Sequence, residues 1–475
     1  MRGRISLSLA LALALSGCVT RSGEQQLGDD EAKKVEREMG LLREPGLAGY
    51  VRAVGEKLAA VSERPEGPWQ FLVVDRPEPN AFALPGGYVY VTRGLLALAN
   101  SEDELAGVVG HEIAHVTARH STKRIGAAVL TAPVTIATGL AGFAVGTVSP
   151  LLGSALAGTG QVITSGLVIA PFSREQEHEA DEIGQGLAAR AGYDPLGLPR
   201  FLRTLDRDAA LSSGDQRSFH FLDSHPLTPD RVARTEERAR QLTRAPAQPI
   251  AGGREAFLAR LDGIVVGEDP AQGVFEDRRF LHPELDLAIE FPAGWKTQNT
   301  SDAVGAISPS KDAVLALHVA ASGSGLDQVL AKLAEQQSDA SFERIQVNGL
   351  PAARTHISGS GKASEVTLIE YQRNVYGVVG QSAESVFPQF ARAFRATATS
   401  FRALRASERK SIRESRLRAR SARARETPAE IARRSGSSWS AERVAVANGI
   451  ELADRFDARW PVKLALPQPY TPRGQ

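Results

Sequence analysis

The chain has 475 residues, of which 42% are hydrophobic and 23% are charged. This balance excludes an intrinsically disordered chain, and the length favours two or three domains over a single hydrophobic core. The formal net charge of +1 gives no overall attraction to nucleic acid, so we expect no nucleic-acid partner, and the single cysteine excludes an internal disulfide or a multi-cysteine metal site.

The N-terminus has the pattern of a bacterial secretion signal. Two arginines precede an apolar segment, residues 5–15, that is too short to cross a bilayer as a helix. The next residues, Leu15-Ser16-Gly17-Cys18, are similar to a lipobox, in which the signal is removed before the cysteine and the thiol is lipidated. We therefore predict a signal peptide over residues 1–17 and lipidation of Cys18; a plain secretory signal with an incidental cysteine is the alternative.

Lipidation determines the predicted location. Acyl chains on Cys18 supply enough buried methylene groups for stable attachment to a membrane surface. Val19 and Thr20 follow the cysteine, and the absence of an aspartate there favours the outer membrane, by similarity to sorting in Gram-negative bacteria. We expect a periplasmic protein that is lipid-anchored to the outer membrane, with residues 18–30 as a polar tether.

Local patterns then predict strands and a long helix. Branched and aromatic residues indicate strands at Phe71–Val74 and Tyr88–Thr92. Ser101, with Glu104 three residues later, has the spacing of a capping box, which predicts a helix from there to about His120.

Residues 125–173 contain no charged side chain. A stretch of this length is typical of a membrane span, but Pro133, Pro150 and repeated glycines interrupt it. We expect apolar helices that pack over the preceding helix or contact a membrane surface or membrane protein; a true transmembrane span is the alternative.

Composition divides the chain into predicted domains, and the overall fold class that we predict is α+β. A mainly helical domain with a small sheet occupies residues 31–245, and a linker with prolines and glycines follows over 246–278. Alternating apolar and polar segments over 279–401 predict a small α+β accessory domain, either for binding or purely structural. The arginine-rich segment 402–426 is predicted to be a basic linker, either solvated or in contact with anionic lipid headgroups or the cell wall.

The last predicted unit, residues 427–466, resembles a LysM-like peptidoglycan-binding unit. The similarity lies in three short segments, Thr427–Ala432, Val444–Ile450 and Pro461–Leu464. The Gly-Asp pair that usually precedes the first helix is replaced by Arg425-Glu426. Peptidoglycan is therefore a candidate partner, and glycan binding is left open.

The strongest chemical signal is His111-Glu112-Ile113-Ala114-His115. Histidines four residues apart lie on one face of a helix, so both imidazoles can bind one metal ion. Glu112 is rotated by about 100° from His111, where a general base for the attacking water belongs. The alternative is an exposed helix that carries two histidines and a glutamate.

A catalytic zinc ion needs a third protein ligand and an open position. Glu177 and Asp181 lie four residues apart on a predicted helix that ends at about Arg190. We expect Glu177 to bind the metal and Asp181 to accept a hydrogen bond from a metal-binding histidine. The alternative is a solvated acidic face of that helix.

These residues resemble the gluzincin metalloproteases of the HtpX and BepA type. The similarity covers roughly residues 27–242, and its motifs are Asn80–Gly87, Val89–Leu95, Glu104-Leu105-Ala106, Ser173-Arg174 and the metal-binding residues themselves. His178 stands where membrane-embedded members commonly carry tyrosine, which favours the soluble branch and makes His178 an alternative third ligand.

The resemblance implies a zincin-type fold and one zinc ion (Zn2+) per chain, held by His111, His115 and Glu177. It assigns Glu112 as the base and places Asp181 behind the ligands. It also implies an edge strand beside the cleft, to which an extended substrate adds as a further strand. That strand is formed by Tyr88, Val89, Tyr90 and Val91.

A second family element is Ser224-His225-Pro226, with Arg231 six residues after the histidine. The resemblance implies that His225 can occupy the fourth metal position and keep the enzyme latent, with Arg231 near the cleft and a candidate oxyanion partner. A loop histidine before a proline is the alternative. We expect no metal-site role for the remaining histidines: His120, His220, His282, His318 and His356.

The function predicted from these observations is that of a zinc-dependent endopeptidase of the cell envelope. Its substrates are expected to be unfolded or misassembled periplasmic and outer-membrane proteins. Two alternatives keep the same fold without relying on proteolysis: a chaperone, and a binding scaffold anchored to peptidoglycan.

Overall fold

The structure is a computed structural model of the chain, and it has the mixed helix-and-sheet composition that was predicted. The residues that it describes are 21–42, 44–122, 171–211, 220–300, 303–336, 341–359 and 361–472. The described residues do not include the predicted signal peptide or Cys18, the predicted lipidation site. Nearly all of the uncharged stretch 125–173 also lies outside them. No helix within the described ranges is both long and apolar enough to cross a bilayer.

The described residues divide into two compact units. The first contains the described residues up to 132, those from 164 to 267 and those from 415 to 468. The second contains residues 268–414 and the described residues from 469 onward.

The first unit begins with four helices and a three-stranded sheet. Their bounds are α1 Arg21–Met39, α2 Pro45–Ala59, β1 Gln70–Val74, β2 Ala81–Leu84, β3 Tyr88–Thr92, α3 Arg93–Leu98 and α4 Glu102–Thr117. Helix α1 includes most of the predicted tether, residues 18–30. The helix extends into this segment because its apolar face, which includes Val35 and Met39, is buried against Phe82 and Tyr90 of the sheet.

Strand β3 is the central strand of this sheet, whose order is β1-β3-β2. It pairs with β1 in parallel and with β2 in antiparallel orientation. The prediction that Tyr88, Val89, Tyr90 and Val91 form an edge strand is therefore wrong, because both sides of β3 already have partners and all four residues are buried. Strand β2, which pairs with β3 on the side opposite to β1, is an edge strand of this sheet.

Helix α4 starts at the predicted N-cap. The Ser101 hydroxyl accepts a hydrogen bond from the Glu104 N–H at 3.2 Å. The Glu104 carboxylate accepts from the Asn100 N–H at 2.8 Å, one residue before the position that a capping box would use. The helix ends at Thr117, and Arg119, with φ of +57°, reverses the chain.

The rest of the first unit up to residue 267 is mainly helical where the structure describes it. The described elements are α5 Arg174–Arg190, α6 Gly197–Leu211, α7 Phe221–Ser224, α8 Pro229–Gln241, α9 Gly253–Leu261 and β4 Val265–Val266. Helix α5 begins at Ser173, whose side chain forms a full capping box with Gln176. The predicted linker 246–278 contains α9, since Phe257, Leu258 and Leu261 are buried in the same core as α4.

The second unit is built from antiparallel sheets. Its elements are β5 Val274–Glu276, β6 Arg279–His282, β7 Leu287–Glu290, β8 Lys296–Asn299, β9 Ala303–Ile307, β10 Ala313–Ser322, α10 Leu326–Gln336, β11 Glu343–Val347, β12 Leu350–Gly359, β13 Lys362–Tyr371, β14 Asn374–Ala383, α11 Phe387–Ser400, β15 Arg402–Ala403 and α12 Ala406–Ser411. Seven strands form one sheet in the order β11-β12-β13-β14-β10-β9-β8, and four form another in the order β15-β7-β6-β5. Helix α11 packs beside these sheets through Phe387 and Phe394.

The segment 402–426 is folded, although its charge predicted a linker. It contains β15, α12 and strand β16, Arg413–Ser421. Leu417 is buried in the main core of the first unit, and β16 pairs with β4. The arginines on either side of Leu417 lie nearer the surface, so buried and exposed side chains alternate here as in a strand. The many arginines made this alternation hard to recognise in the sequence.

The chain ends with α13 Pro428–Ser435, α14 Ala441–Ala447 and β17 Pro461–Pro469. Strands β17, β16 and β4 form one sheet in that order, so the C-terminal strand–helix–helix–strand segment shares a sheet with the strand that follows α9. This segment belongs to the first compact unit and is not a separate body. Its identity as a LysM-like unit stays a prediction.

Lys463 of β17 connects this segment to the start of α4. Its side chain is fully buried, and Nζ donates to the carbonyl oxygens of Ala97, Leu98 and Ala99 at 2.8, 2.9 and 2.6 Å. Three acceptors match the three N–H donors of an ammonium group. Burial lowers the pKa of Lys463 well below its usual value, and the buried carboxylate of Glu104 opposes this shift.

We predict that Lys463→Met lowers the free energy of unfolding by about 1–3 kcal/mol, the usual cost of leaving buried hydrogen-bond acceptors without their donor. The three carbonyl groups at the end of α3 would lose the donor that they share. Thermal unfolding of the full chain measures the loss. Lys362→Met, at an exposed position, is the control and should change stability by less than about 0.5 kcal/mol; equal effects would contradict the assigned role of Lys463.

Candidate metal centre

Two glycines allow the metal-binding helices to touch. A Cβ atom on Gly184 of α5 would lie 2.6 Å from the backbone nitrogen of His111, and one on Gly110 of α4 would lie 2.8 Å from the Gly184 carbonyl oxygen. Only residues without a side chain allow so close a backbone approach. The contact places the ligand-bearing faces of α4 and α5 opposite each other.

Four buried side chains converge between these helices. One ligand atom from each of His111, His115, Glu177 and His225 lies within 4.8 Å of all the others. The Nε2 atoms of His111 and His115 are 3.0 Å apart, and Glu177 Oε1 is 3.4 Å from His115 Nε2. The structure thus brings together the three ligands predicted from the sequence. Their positions along the chain alone did not show how far apart the side chains would lie.

His225 is the fourth member of this cluster. It follows the short helix α7, and its ring stacks on Phe221 with a centroid distance of 4.2 Å. Its Nδ1 lies 2.9 Å from Glu177 Oε1 and 3.2 Å from His111 Nε2. His178, the alternative third ligand, is absent from this cluster of described residues and lines a groove between α5 and α8 together with Asp181 and Arg231.

Glu112 lies beside the cluster. It is fully buried, and neither of its carboxylate oxygens has a hydrogen-bond partner among the described residues; Oε1 is 3.4 Å from His225 Nε2. A buried carboxylate without partners is costly. Together with three imidazoles and a second carboxylate, it makes a donor set that fits a zinc ion and a water molecule.

Asp181 and Arg231 support the cluster from behind His111. Asp181 Oδ1 lies 2.9 Å from His111 Nδ1, and both carboxylate oxygens accept hydrogen bonds from Arg231 at 2.8 Å. Arg231 also lies 2.6 Å from Glu177 Oε2. Its guanidinium is buried and engaged by these two carboxylates, so Arg231 supports the ligands and is poorly placed to serve as the oxyanion partner.

Burial and charge act in opposite directions on these groups. Burial alone would raise the pKa of Glu177, but His225, Arg231 and His111 hold it well below its usual value. Burial lowers the pKa of His115, which favours the neutral imidazole that binds metals. Burial raises the pKa of Glu112, and a raised pKa suits a carboxylate that accepts a proton near neutral pH.

Two side chains near the ligands differ from what the sequence indicated: Phe172 was given no role, and His120, expected to be an ordinary histidine, is buried against His115. The ring of Phe172 stacks on His115 at 3.9 Å, and His120 Nδ1 lies 3.0 Å from His115 Nδ1. Phe172 falls in the uncharged stretch and carries no chemical signal. His120 stands five residues after His115, a spacing that does not place it on the same helix face.

Part of the chain is similar to a known peptidase family. Residues 45–239 match the model of peptidase family M48. This part of the chain is therefore similar to the M48 peptidases. Its relatives include the beta-barrel assembly-enhancing protease of Escherichia coli strain K12, which is 33% identical over 46% of this chain and 44% of that protein. The protein of the same name from Yersinia pestis is 31% identical over 50% of this chain and 48% of its own length.

A mitochondrial relative matches as well. The metalloendopeptidase OMA1 of Schizosaccharomyces pombe is 33% identical over 45% of this chain and 60% of its own length. The chain thus spans about half the length of the curated relatives that it matches. M48 metalloproteases depend on zinc, so the predicted family resemblance and the predicted cofactor are both confirmed for the matched residues 45–239.

We predict that Asp181→Asn weakens zinc binding by about 10–100-fold, the usual effect of losing a charged partner of a metal-binding histidine. The change removes the charge that orients His111 and leaves Arg231 with one carboxylate fewer. Competition with a zinc chelator measures the affinity. Glu182→Gln, at the exposed neighbouring position of α5, is the control and should bind zinc like the unmodified chain.

Proposed function

We propose that this protein is a zinc-dependent endopeptidase of the cell envelope that cleaves misfolded or misassembled periplasmic and outer-membrane proteins. The observation that carries the proposal is the buried cluster of four ligand atoms within 4.8 Å, with Glu112 beside it. A scaffold without enzymatic activity would need neither the cluster nor a fully buried carboxylate beside it.

The residues divide the work of peptide hydrolysis. His111, His115 and Glu177 would hold the ion, and Asp181 with Arg231 would keep His111 oriented. The chemistry that zinc supplies when bound is Lewis acidity, which polarises a carbonyl group and makes water easier to deprotonate. Glu112 accepts the proton of the attacking water and returns it to the leaving amine.

The test is Glu112→Gln with an unfolded protein, such as casein, as substrate. We expect normal zinc content and a loss of cleavage of about 10²–10⁴-fold, the usual contribution of a general base. Glu175→Gln on the exposed start of α5 is the control and should cleave normally. Unchanged cleavage by Glu112→Gln, or purified protein that binds no zinc, would refute the proposal.

The substrate is proposed to add to strand β2, next to helix α4. Asn80 O accepts from the Thr92 N–H at 2.9 Å, so Asn80, Phe82 and Leu84 direct their backbone groups toward β3. Ala81 and Ala83 therefore direct theirs to the side where no described strand pairs, and the Ala83 carbonyl is 3.4 Å from the Ser121 hydroxyl there. Backbone pairing at this edge selects extended segments with little regard to side chains.

Ala83→Pro tests this binding mode. Proline removes the N–H that would pair with the substrate but no hydrogen bond to β3, and edge strands tolerate it. One backbone hydrogen bond contributes roughly 0.5–1.5 kcal/mol, and the ring also obstructs the edge, so we expect kcat/KM to fall about tenfold with zinc content unchanged. Ala83→Ser keeps the N–H and should cleave normally. Equal activity of the two variants would contradict strand addition at β2.

His225 is proposed to keep the resting enzyme latent. Its Nδ1 faces the ligands and its Nε2 faces Glu112, so the ring stands between the metal position and the base, where the attacking water belongs. A substrate or partner that moves α7 would release it. A loop histidine before a proline would have no need to be fully buried between these groups.

His225→Ala is therefore expected to increase cleavage of casein, or self-cleavage, several-fold, because the position for water is no longer contested. His178→Ala is the matched control, because His178 follows Glu177 in the chain but is not in the described ligand cluster. This variant should cleave at the rate of the unmodified chain. A rate for His225→Ala equal to or below that of the unmodified chain would contradict latency.

The location and partners are proposed from the sequence. The lipobox-like Leu15–Cys18 supports a lipid anchor in the outer membrane, and the names of the bacterial relatives support a role in the assembly of β-barrel proteins. The LysM-like segment supports peptidoglycan as a further partner. Cell-wall sedimentation should use point variants in exposed loops, because deletion of residues 427–475 would remove Lys463 from the protease core.

A further inference from the structure

The two histidines of the metal-binding motif have different supports. His111 is backed by the charged pair of Asp181 and Arg231. His115 is backed by a third histidine: the Nδ1 atoms of His115 and His120 are 3.0 Å apart, and His120 is buried. His120 Nε2 in turn lies 3.2 Å from Glu179 Oε2.

The positions of the ring nitrogens determine where the protons must be. His115 Nε2 faces His111 and Glu177, so this is the atom that would bind the metal. A neutral imidazole that binds through Nε2 carries its proton on Nδ1. His115 therefore donates to His120 Nδ1, and His120 must carry its own proton on Nε2, which donates to Glu179.

The chain reversal after α4 makes this contact available. A residue five positions after His115 would lie on a different face if the helix continued. The helix ends at Thr117, and the left-handed conformation of Arg119, with φ of +57°, returns His120 to the side of His115. Phe172 then packs against both rings, at 3.9 Å from His115 and 6.3 Å from His120.

We propose that His120 is a positioning residue for His115, and that Glu179 fixes the tautomer of His120. The inference rests on the zinc site of the proposed function. The two supports differ in exposure: the Asp181 side chain is 5% exposed, whereas that of Glu179 is 54% exposed. The His115 support thus runs from the buried metal position to the surface through two imidazoles, and its final carboxylate is screened by solvent.

A pair of amide variants tests the geometry. The Oδ1 atom of asparagine stands close to the place of a histidine Nδ1, whereas the side-chain oxygen of glutamine reaches the place of Nε2. His120→Asn therefore keeps an acceptor for the His115 N–H, and His120→Gln does not. We expect zinc affinity within about threefold of the unmodified chain for His120→Asn and about 10–100-fold weaker for His120→Gln.

Zinc affinity is measured by chelator competition, and the cobalt-substituted protein adds a visible absorption spectrum that reports ligand geometry. We expect the spectrum to change in His120→Gln and to be preserved in His120→Asn. Glu179→Gln should weaken zinc binding by only a few-fold, because its carboxylate is mostly exposed.

Equal zinc affinities for His120→Asn and His120→Gln would overturn the inference, as would an unperturbed cobalt spectrum in His120→Gln. Thermal unfolding of the metal-free variants separates this effect from a general loss of folding, which would lower the stability of both amide variants alike. Failure of the unmodified chain to bind zinc would overturn the proposed function itself, so the two failures are distinguishable.

Discussion

The site depends on the close contact of two helices. Gly110 and Gly184 let the backbones of α4 and α5 approach to a distance that any Cβ atom would prevent. Because His111 and His115 lie on one helix and Glu177 on the other, that contact sets the distance between the imidazoles and the carboxylate. An alanine at either glycine would place its Cβ atom within 3.0 Å of the backbone of the facing helix, so the two helices would have to move apart.

Around this contact, charge is balanced almost entirely by neighbouring side chains. Glu177 and Asp181 share the guanidinium of Arg231, and this pairing lets two carboxylates remain ionised in the interior. Among the described residues, Glu112 has no guanidinium partner and lies 3.4 Å from His225 Nε2, which separates its role from that of the ligands. Catalytic sites typically combine side chains that are fixed by charged partners, here Glu177 and Asp181, with one that remains available to react, here Glu112.

The C-terminal segment is structurally part of the same unit. Lys463 reaches across to the carbonyl groups at the end of α3, immediately before α4 begins, and Arg254 donates to Asn100 and to Asn448 beside it. The segment that resembles a binding module therefore stabilises the start of the helix that carries His111. A ligand bound to this segment would therefore contact a part of the chain that already packs against the start of α4.

The sequence by itself determined the local chemistry: the His111–His115 spacing, the position of Glu112, the N-cap at Ser101 and the bounds of β3 follow from local patterns. It also offered Glu177 and Asp181 as a ligand and its neighbour, but no local pattern placed them beside the histidines. Only the tertiary structure decided which strand is the edge, that residues 402–426 form a strand, that Arg231 supports the ligands, and that His120 stands behind His115. Local spacing fixes what one helix or turn can do, whereas strand order and contacts between distant segments depend on how the whole core packs.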